Sequence, residues 1–179
     1  ITAGFKEVGE EGAALEKEIA DLCRSRGARL MGPNCLGVMN THHKMDATFA
    51  NYMPKPGGIS VLSQSGALGT AILDWSAARK MGLATLLSIG NKADLDETDF
   101  LAAFADDEKT KVIVGYLESI LSGDEFVRVA EAVAAVKPVV ILKAGTTSAG
   151  SKAASSHTGA LAGADIAYVV LKGGVVRAL

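Results

Sequence analysis

Apolar residues recur along this chain with two different periods. Over residues 10–26, Ala14, Leu15, Ile19 and Leu22 fall at helical spacing among Glu, Lys and Arg, the pattern of an amphipathic helix. Gly27 follows where helices commonly stop. Ile1-Thr2-Ala3-Gly4-Phe5 reads as the end of a strand already under way, and residues 28–31 as a short apolar strand. Residues 32–58 hold three of the four prolines and show no clear period, which predicts a long loop or linker. From Gly57-Gly58 onward the rhythm is regular. Strands are predicted at 59–62, 83–89, 111–117 and 138–142, and helices over 67–81, 97–105 and 126–136. Continuous apolar strands alternating with helices imply an α/β fold, an open parallel sheet covered by helices on both faces.

Composition narrows the class. The 179 residues are 49% hydrophobic and 21% charged, enough apolar surface for a sizeable core and too much for a disordered chain. A net charge of −2 argues against a nucleic-acid binder, which needs a basic stripe against phosphates. Cys23 and Cys35 are too few for a disulfide scaffold or a cysteine zinc site. No apolar run reaches the ~18 residues of a membrane span, and no signal segment opens the chain. A piece of a longer, cytoplasmic protein from a reducing compartment is expected, with no membrane contact and no metal held by this segment. Twenty glycines suit many tight strand-to-helix turns, and residues 144–156, rich in Gly, Ser, Thr and Ala, read as a flexible loop.

In an open parallel sheet, ligands bind outside the carboxyl ends of the strands. The residues that follow each strand therefore matter most. Ser63-Gln64-Ser65-Gly66-Ala67 opens a helix whose free amides and positive dipole end suit a phosphate; taken alone, the motif is more simply an ordinary serine cap with a turn glycine. Glu118 ends a strongly apolar strand, as a site carboxylate or a solvated strand end. The run from Gly145 to Lys152 misses the G-x-x-x-x-G-K-[ST] phosphate loop by one residue, since Ser151 separates Gly150 from Lys152. His157 stands among small residues that permit close approach to its ring, and a neutral imidazole is a good nucleophile near pH 7; a lone surface histidine is the plain alternative. The adjacent His42 and His43 read as surface loop residues, and three histidines with no carboxylate cluster make a poor metal site.

Five motifs occur in register along the chain: Met31-Gly32-Pro33-Asn34-Cys35-Leu36-Gly37, Ser63-Gln64-Ser65-Gly66-Ala67, Ser88-Ile89-Gly90-Asn91-Lys92, Tyr116-Leu117-Glu118 and Ser156-His157-Thr158-Gly159-Ala160. Together they resemble the NDP-forming acyl-CoA synthetases, close to the ADP-forming acetate–CoA ligases and related to the succinyl-CoA synthetase α subunit. The resemblance covers nearly all of the chain. It implies that residues 1–50 are the last part of a Rossmann-like CoA-binding domain and 57–179 a flavodoxin-fold ligase domain.

The resemblance also implies roles. His157 would be the phosphorylated histidine, taking a phosphoryl group from an acyl phosphate and passing it to ADP on an ATP-grasp domain or subunit. Ser65, Gly66 and Ala67, with Gly145 and Thr146, would hold the phosphoryl oxygens. Glu118 would accept a hydrogen bond from the imidazole and stabilise its charge. Asn34 and Cys35 would lie near the reactive end of CoA or the acyl group; Cys35 reads equally as a small buried residue. The implied small molecules are acyl-CoA, phosphate and ATP or ADP with Mg²⁺, the nucleotide held mainly outside this segment, in an oligomeric enzyme. The isolated piece is expected to be inactive. A second reading makes the chain the ligand-sensing core of a protein lysine acetyltransferase, distinguished by which module flanks it.

Overall fold

The computed structural model describes residues 1–145. Thr2 makes an isolated bridge to Cys35, and a 3-10 turn spans Phe5–Val8, so the opening residues are not the end of a regular strand. Helix α1, Glu10–Ser25, matches the predicted span, but the residues it buries are Glu16 and Ala20, while Leu15 and Leu22 of the predicted apolar stripe are exposed. Residues 28–31 belong to no strand. Their backbone is held by the loop after a later strand: the Asp94 carboxylate accepts the Leu30 N–H, and the Leu30 carbonyl accepts the Leu95 N–H.

The segment expected to be a loop contains a hairpin, β1 (Gly37–Asn40) and β2 (Met45–Thr48). The regular alternation then follows as β3 (Pro56–Ser63), α2 (Gly66–Ala78), β4 (Leu83–Ser88), α3 (Glu97–Asp106), β5 (Val112–Leu117), α4 (Gly123–Ala134) and β6 (Val139–Lys143). The strands form one sheet in the order β2-β1-β4-β3-β5-β6. β3 to β6 run parallel; β1 pairs antiparallel with both β2 and β4, so the hairpin extends the sheet.

The helices cover two faces, as the alternation of β3 shows. Val61 packs with Leu36, Met39, Leu73 of α2, Leu83 and Leu86 on one face. Leu62 packs with Leu101 and Phe104 of α3 and Phe126, Ala130 and Val133 of α4 on the other. At about 25 cal/mol per Å² of apolar surface, burying each of these large side chains contributes roughly 1.5–3 kcal/mol.

Local signals set the helix starts. Asp96 caps α3 by accepting the Thr98 and Asp99 amides, while the Asp99 carboxylate accepts the Asp96 N–H, a reciprocal box that satisfies otherwise orphaned donors. α4 begins three residues before its apolar period does, on Gly123-Asp124-Glu125, where the acidic pair suits the positive end of the helix.

Candidate functional site

Among the parallel strands, the first in sequence, β3, lies inside, with β4 on one side and β5 then β6 on the other. Winding therefore reverses between β3 and β5. Such a switch point opens a crevice at the carboxyl ends of the two strands it separates. Here those ends carry Ser63-Gln64-Ser65 and Glu118-Ser119. A cleft of about 200 Å³ lies at this point, lined by Asn34, Cys35, Ser65, Gly66, Ala67 and Glu118 among others.

The α2 end of the cleft is built by a serine relay. Ser63, fully buried, donates its hydroxyl to the Ser65 carbonyl at 2.6 Å and accepts the Ser65 N–H at 3.2 Å. Ser65 stays extended and its side-chain oxygen accepts the Leu68 N–H, a helix cap. The amides of Gly66 and Ala67 belong to the first turn, which has no intrahelical acceptor. The helix start thus combines both readings of the motif: Ser65 is the cap, and the next two amides border the cleft. The first turn of α2 contains no acidic residue, so its positive dipole end meets the cleft with no carboxylate from its own helix.

Glu118 is buried at 9% exposure, although it directly follows β5. It continues the face of Val114 and Tyr116, since side chains alternate along a strand, and this is the face α2 covers. The Tyr116 hydroxyl hydrogen-bonds the Glu118 side chain; burial first, and then that nearby carboxylate, push the Tyr116 phenol above its usual range. A solvated strand end does not describe this residue.

Asn34 and Cys35 form the facing wall. Asn34 is left-handed at φ 57° and bonded at both ends of its amide: its Oδ1 accepts the Gly4 N–H at 3.0 Å and its Nδ2 donates to Asn91 Oδ1 at 3.1 Å. Its role in the structure is therefore to pin the opening residues to the loop after β4. That loop comes very close: a Cβ on Gly90, at φ +52°, would sit 2.2 Å from the Pro33 carbonyl oxygen. Cys35 is 4% exposed, and burial raises its thiol pKa, so it lines the cleft as a neutral thiol.

Gly145, left-handed at φ 78°, follows β6 at the same end of the sheet but is not among the described residues lining the cleft. Thr146 and His157 lie outside the described residues, as does most of the near phosphate loop. His42 and His43 are exposed, with His42 Nε2 2.9 Å from the Gly57 carbonyl oxygen, as read from sequence. Among the described residues no group of three metal-ligating side chains gathers, and no helix is long and apolar enough to cross a membrane.

Lys92, Glu97 and Gln64 carry no role in the sequence reading, although Gln64 stands within the Ser63 to Ala67 motif. Lys92 and Glu97 pair at 2.9 Å with side chains 1% exposed each. Lys92 Nζ also donates to the Ser119 carbonyl and hydroxyl, and Glu97 Oε1 accepts the Leu121 N–H. Gln64 Oε1 accepts both the Glu118 and Ser119 amides. Lys92 does stand within the Ser88 to Lys92 motif, but its spacing to Glu97 carries no local signal.

Comparison with known proteins places this arrangement. The model of the succinyl-CoA ligase like flavodoxin domain matches residues 56–178. The chain is 52% identical over 168 residues to an ADP-forming acetate–CoA ligase of Archaeoglobus fulgidus, covering 94% of this chain and 24% of that protein. It is 44% identical over 180 residues to the α subunit of an ADP-forming acetate–CoA ligase of Pyrococcus furiosus, covering 99% of this chain and 39% of that subunit. The fold superposes with a TM-score of 0.86 at 41% identity on the dinucleotide-forming acetyl-coenzyme A synthetase 1 of Ca. Korarchaeum cryptofilum, solved with phosphate and ADP, over 94% of this chain and 36% of that one. The chain thus spans between about a quarter and two fifths of the length of these relatives. The switch-point topology, the helix start at Ser65 and the family match converge on one conclusion: the chain belongs to the succinyl-CoA ligase-like flavodoxin domain family.

Proposed function

We propose that this chain is the phosphoryl-relay segment of an ADP-forming acyl-CoA ligase, interconverting acyl-CoA, ADP and phosphate with acid, CoA and ATP. The observation that carries the reading is the cleft itself. One small space brings together the amide-rich start of α2, a buried carboxylate and a wall at Asn34 and Cys35.

The phosphoryl group would move in three steps. A phosphate oxygen attacks the thioester carbon, the C–S bond breaks, and CoA leaves as a thiolate that takes a proton. The imidazole nitrogen of His157 then attacks phosphorus and the carboxylate leaves. Finally a terminal oxygen of ADP attacks phosphorus and the N–P bond breaks, giving ATP and free His157. The Gly66 and Ala67 amides would hold the phosphoryl oxygens as charge moves on to them. Glu118 would accept the other imidazole N–H, fix its tautomer and stabilise the cation formed on phosphorylation. The residues suit a phosphate and the reacting end of an acyl thioester; Asn34 and Cys35 would flank the latter, with most of CoA and the nucleotide with its Mg²⁺ held by other parts of the enzyme. In this reading residues 1–50 complete a CoA-binding domain, Gly145 and Thr146 border the phosphate, and an ATP-grasp domain or subunit is the partner in a cytoplasmic oligomer. The regulatory reading as an acetyltransferase core gains no support, since the relatives above are named as ligases or synthetases.

The test is transfer from labelled ATP with Mg²⁺ in the complete enzyme that carries this chain. One histidine, His157, should take an acid-labile label, and His157→Ala should abolish it. Glu118→Gln should leave the fold intact and slow transfer on the order of 10²-fold, the usual cost of one removed electrostatic contact to a charged transition state. Histidine label persisting in His157→Ala, or transfer at the wild-type rate in Glu118→Gln, would show the assignment to be wrong.

A further inference from the structure

The turn that follows β5 is held in an unusual way. Five of its backbone groups are bound by side chains from other elements: Gln64 takes the Glu118 and Ser119 amides, Lys143 donates to the Glu118 carbonyl, Lys92 donates to the Ser119 carbonyl, and Glu97 takes the Leu121 amide. The four side chains come from the β3–α2 loop, from the loop and first turn around the start of α3, and from the end of β6. The turn is therefore gripped from three neighbouring elements.

Lys92 and Glu97 are the costly members of this grip. All three donors of Lys92 are used, on Glu97 Oε2 at 2.9 Å, the Ser119 carbonyl at 2.9 Å and the Ser119 hydroxyl at 3.1 Å. The Ser119 hydroxyl in turn accepts Gln64 Nε2 at 2.9 Å, so the pair and Gln64 form one network. Burying an ion pair removes two charges from water, and a neutral pair of similar volume is often as stable or more so. Satisfying a buried turn needs partners for its backbone, which neutral side chains can supply. Stability alone therefore leaves the charges unexplained. Neither Lys92 nor Glu97 lines the cleft, whereas Glu118 and Ser119, which the network fixes, both do.

We infer that the buried Lys92–Glu97 pair is a positioning device for Glu118, locking through Ser119 and Leu121 the turn that carries this carboxylate into the cleft. The inference rests on the function proposed above. Charge-assisted hydrogen bonds are shorter and stiffer than neutral ones, and a carboxylate that must meet an imidazole within hydrogen-bond reach gains from that stiffness. Lys92 and Glu97 touch no substrate; they act through the turn.

The test again uses the complete enzyme, with wild type and Glu118→Gln as references. Lys92→Gln combined with Glu97→Gln removes both charges and keeps a donor for the Ser119 carbonyl and an acceptor for Leu121. The double variant should melt close to the wild type, while kcat and single-turnover histidine phosphorylation fall on the order of 10²-fold, the cost of a small misplacement. KM for phosphate should stay unchanged, as for loss of an interaction used only in the transition state. Glu97→Asp keeps the charge but shortens the arm, and should lower kcat about tenfold with the fold retained. It decides the matter if the double variant does not fold. Wild-type kcat in a folded double variant, or in Glu97→Asp, overturns the inference while a slow Glu118→Gln leaves the proposed function standing. A wild-type enzyme that takes no label on histidine overturns both.

Discussion

Lysines stand at both ends of the sheet and live differently there. At the amino end, Lys109 and Lys111 are exposed beside His42 and Glu108, around a shallow open depression. At the carboxyl end, Lys92 and Lys143 are buried at 5% and 8% exposure, with their ammonium groups on backbone carbonyls and, for Lys92, on Glu97. The same contrast holds for carboxylates: Glu108 is open to water, and Glu97 and Glu118 are enclosed. Strand direction explains where the costly groups go. In a parallel sheet the loops at the carboxyl end meet at the switch point and build the cleft, while those at the amino end only turn the chain. Fully buried charge is thus concentrated where geometry must be held; at the amino end the nearest case among the described residues is the half-buried Lys137, whose ammonium donates to the Phe104 and Asp107 carbonyls.

Substitutions can break or sharpen this contrast. The largest expected effect is from Lys92→Met alone, which leaves the Glu97 carboxylate buried without its cation. Breaking a buried pair this way costs about 3–5 kcal/mol, so a urea midpoint well below that of the wild type is expected. A wild-type midpoint would mean that the pair is not enclosed as described. Next is Ser65→Ala, which removes the cap of α2 and should cost about 1 kcal/mol by the same measurement. Loss of anion binding at the helix start should accompany it, read as a smaller rise in melting temperature with added phosphate.

A pH dependence comes third, at a different part of the carboxyl end. Asp94 binds Arg29, the Leu30 amide and Arg24, which together hold its carboxyl down at about 2 from an ordinary 3.8. A depressed carboxyl contributes stability that is fully present above about 3.8 and is lost as pH falls toward 2. Asp94→Asn should therefore lower the melting temperature at neutral pH, and its difference from the wild type should vanish by about pH 2. An equal difference at both ends of that window would contradict the assignment. The smallest effect is expected at the amino end: Lys111→Met should stay within about 0.5 kcal/mol of the wild type in urea, as surface changes do.

Much of this molecule was legible in the sequence because its signals are local. The period of Ala14, Leu15, Ile19 and Leu22 gives α1 to within a residue, and apolar runs give the four parallel strands. Asp96 and Asp99 mark the start of α3 because a cap is made between near neighbours. The motif at Ser65 announced a helix start, and the family match over residues 56–178 is carried by sequence. Other features needed partners far along the chain. The hairpin of β1 and β2 consists of two four-residue strands, too short to show a period, and β1 is completed by Thr85, Leu86 and Leu87 of β4. The apolar run at 28–31 looked like a strand but is tied to Asp94 and Leu95 instead of a sheet neighbour. Charged residues read locally as solvent-facing, so the sequence shows neither the pairing of Lys92 with Glu97 nor which of its two readings holds for Glu118. Periodicity and capping act over a few residues and are written in the sequence itself. Burial and pairing are decided by which strand ends meet at the switch point, and that meeting exists only in the folded sheet.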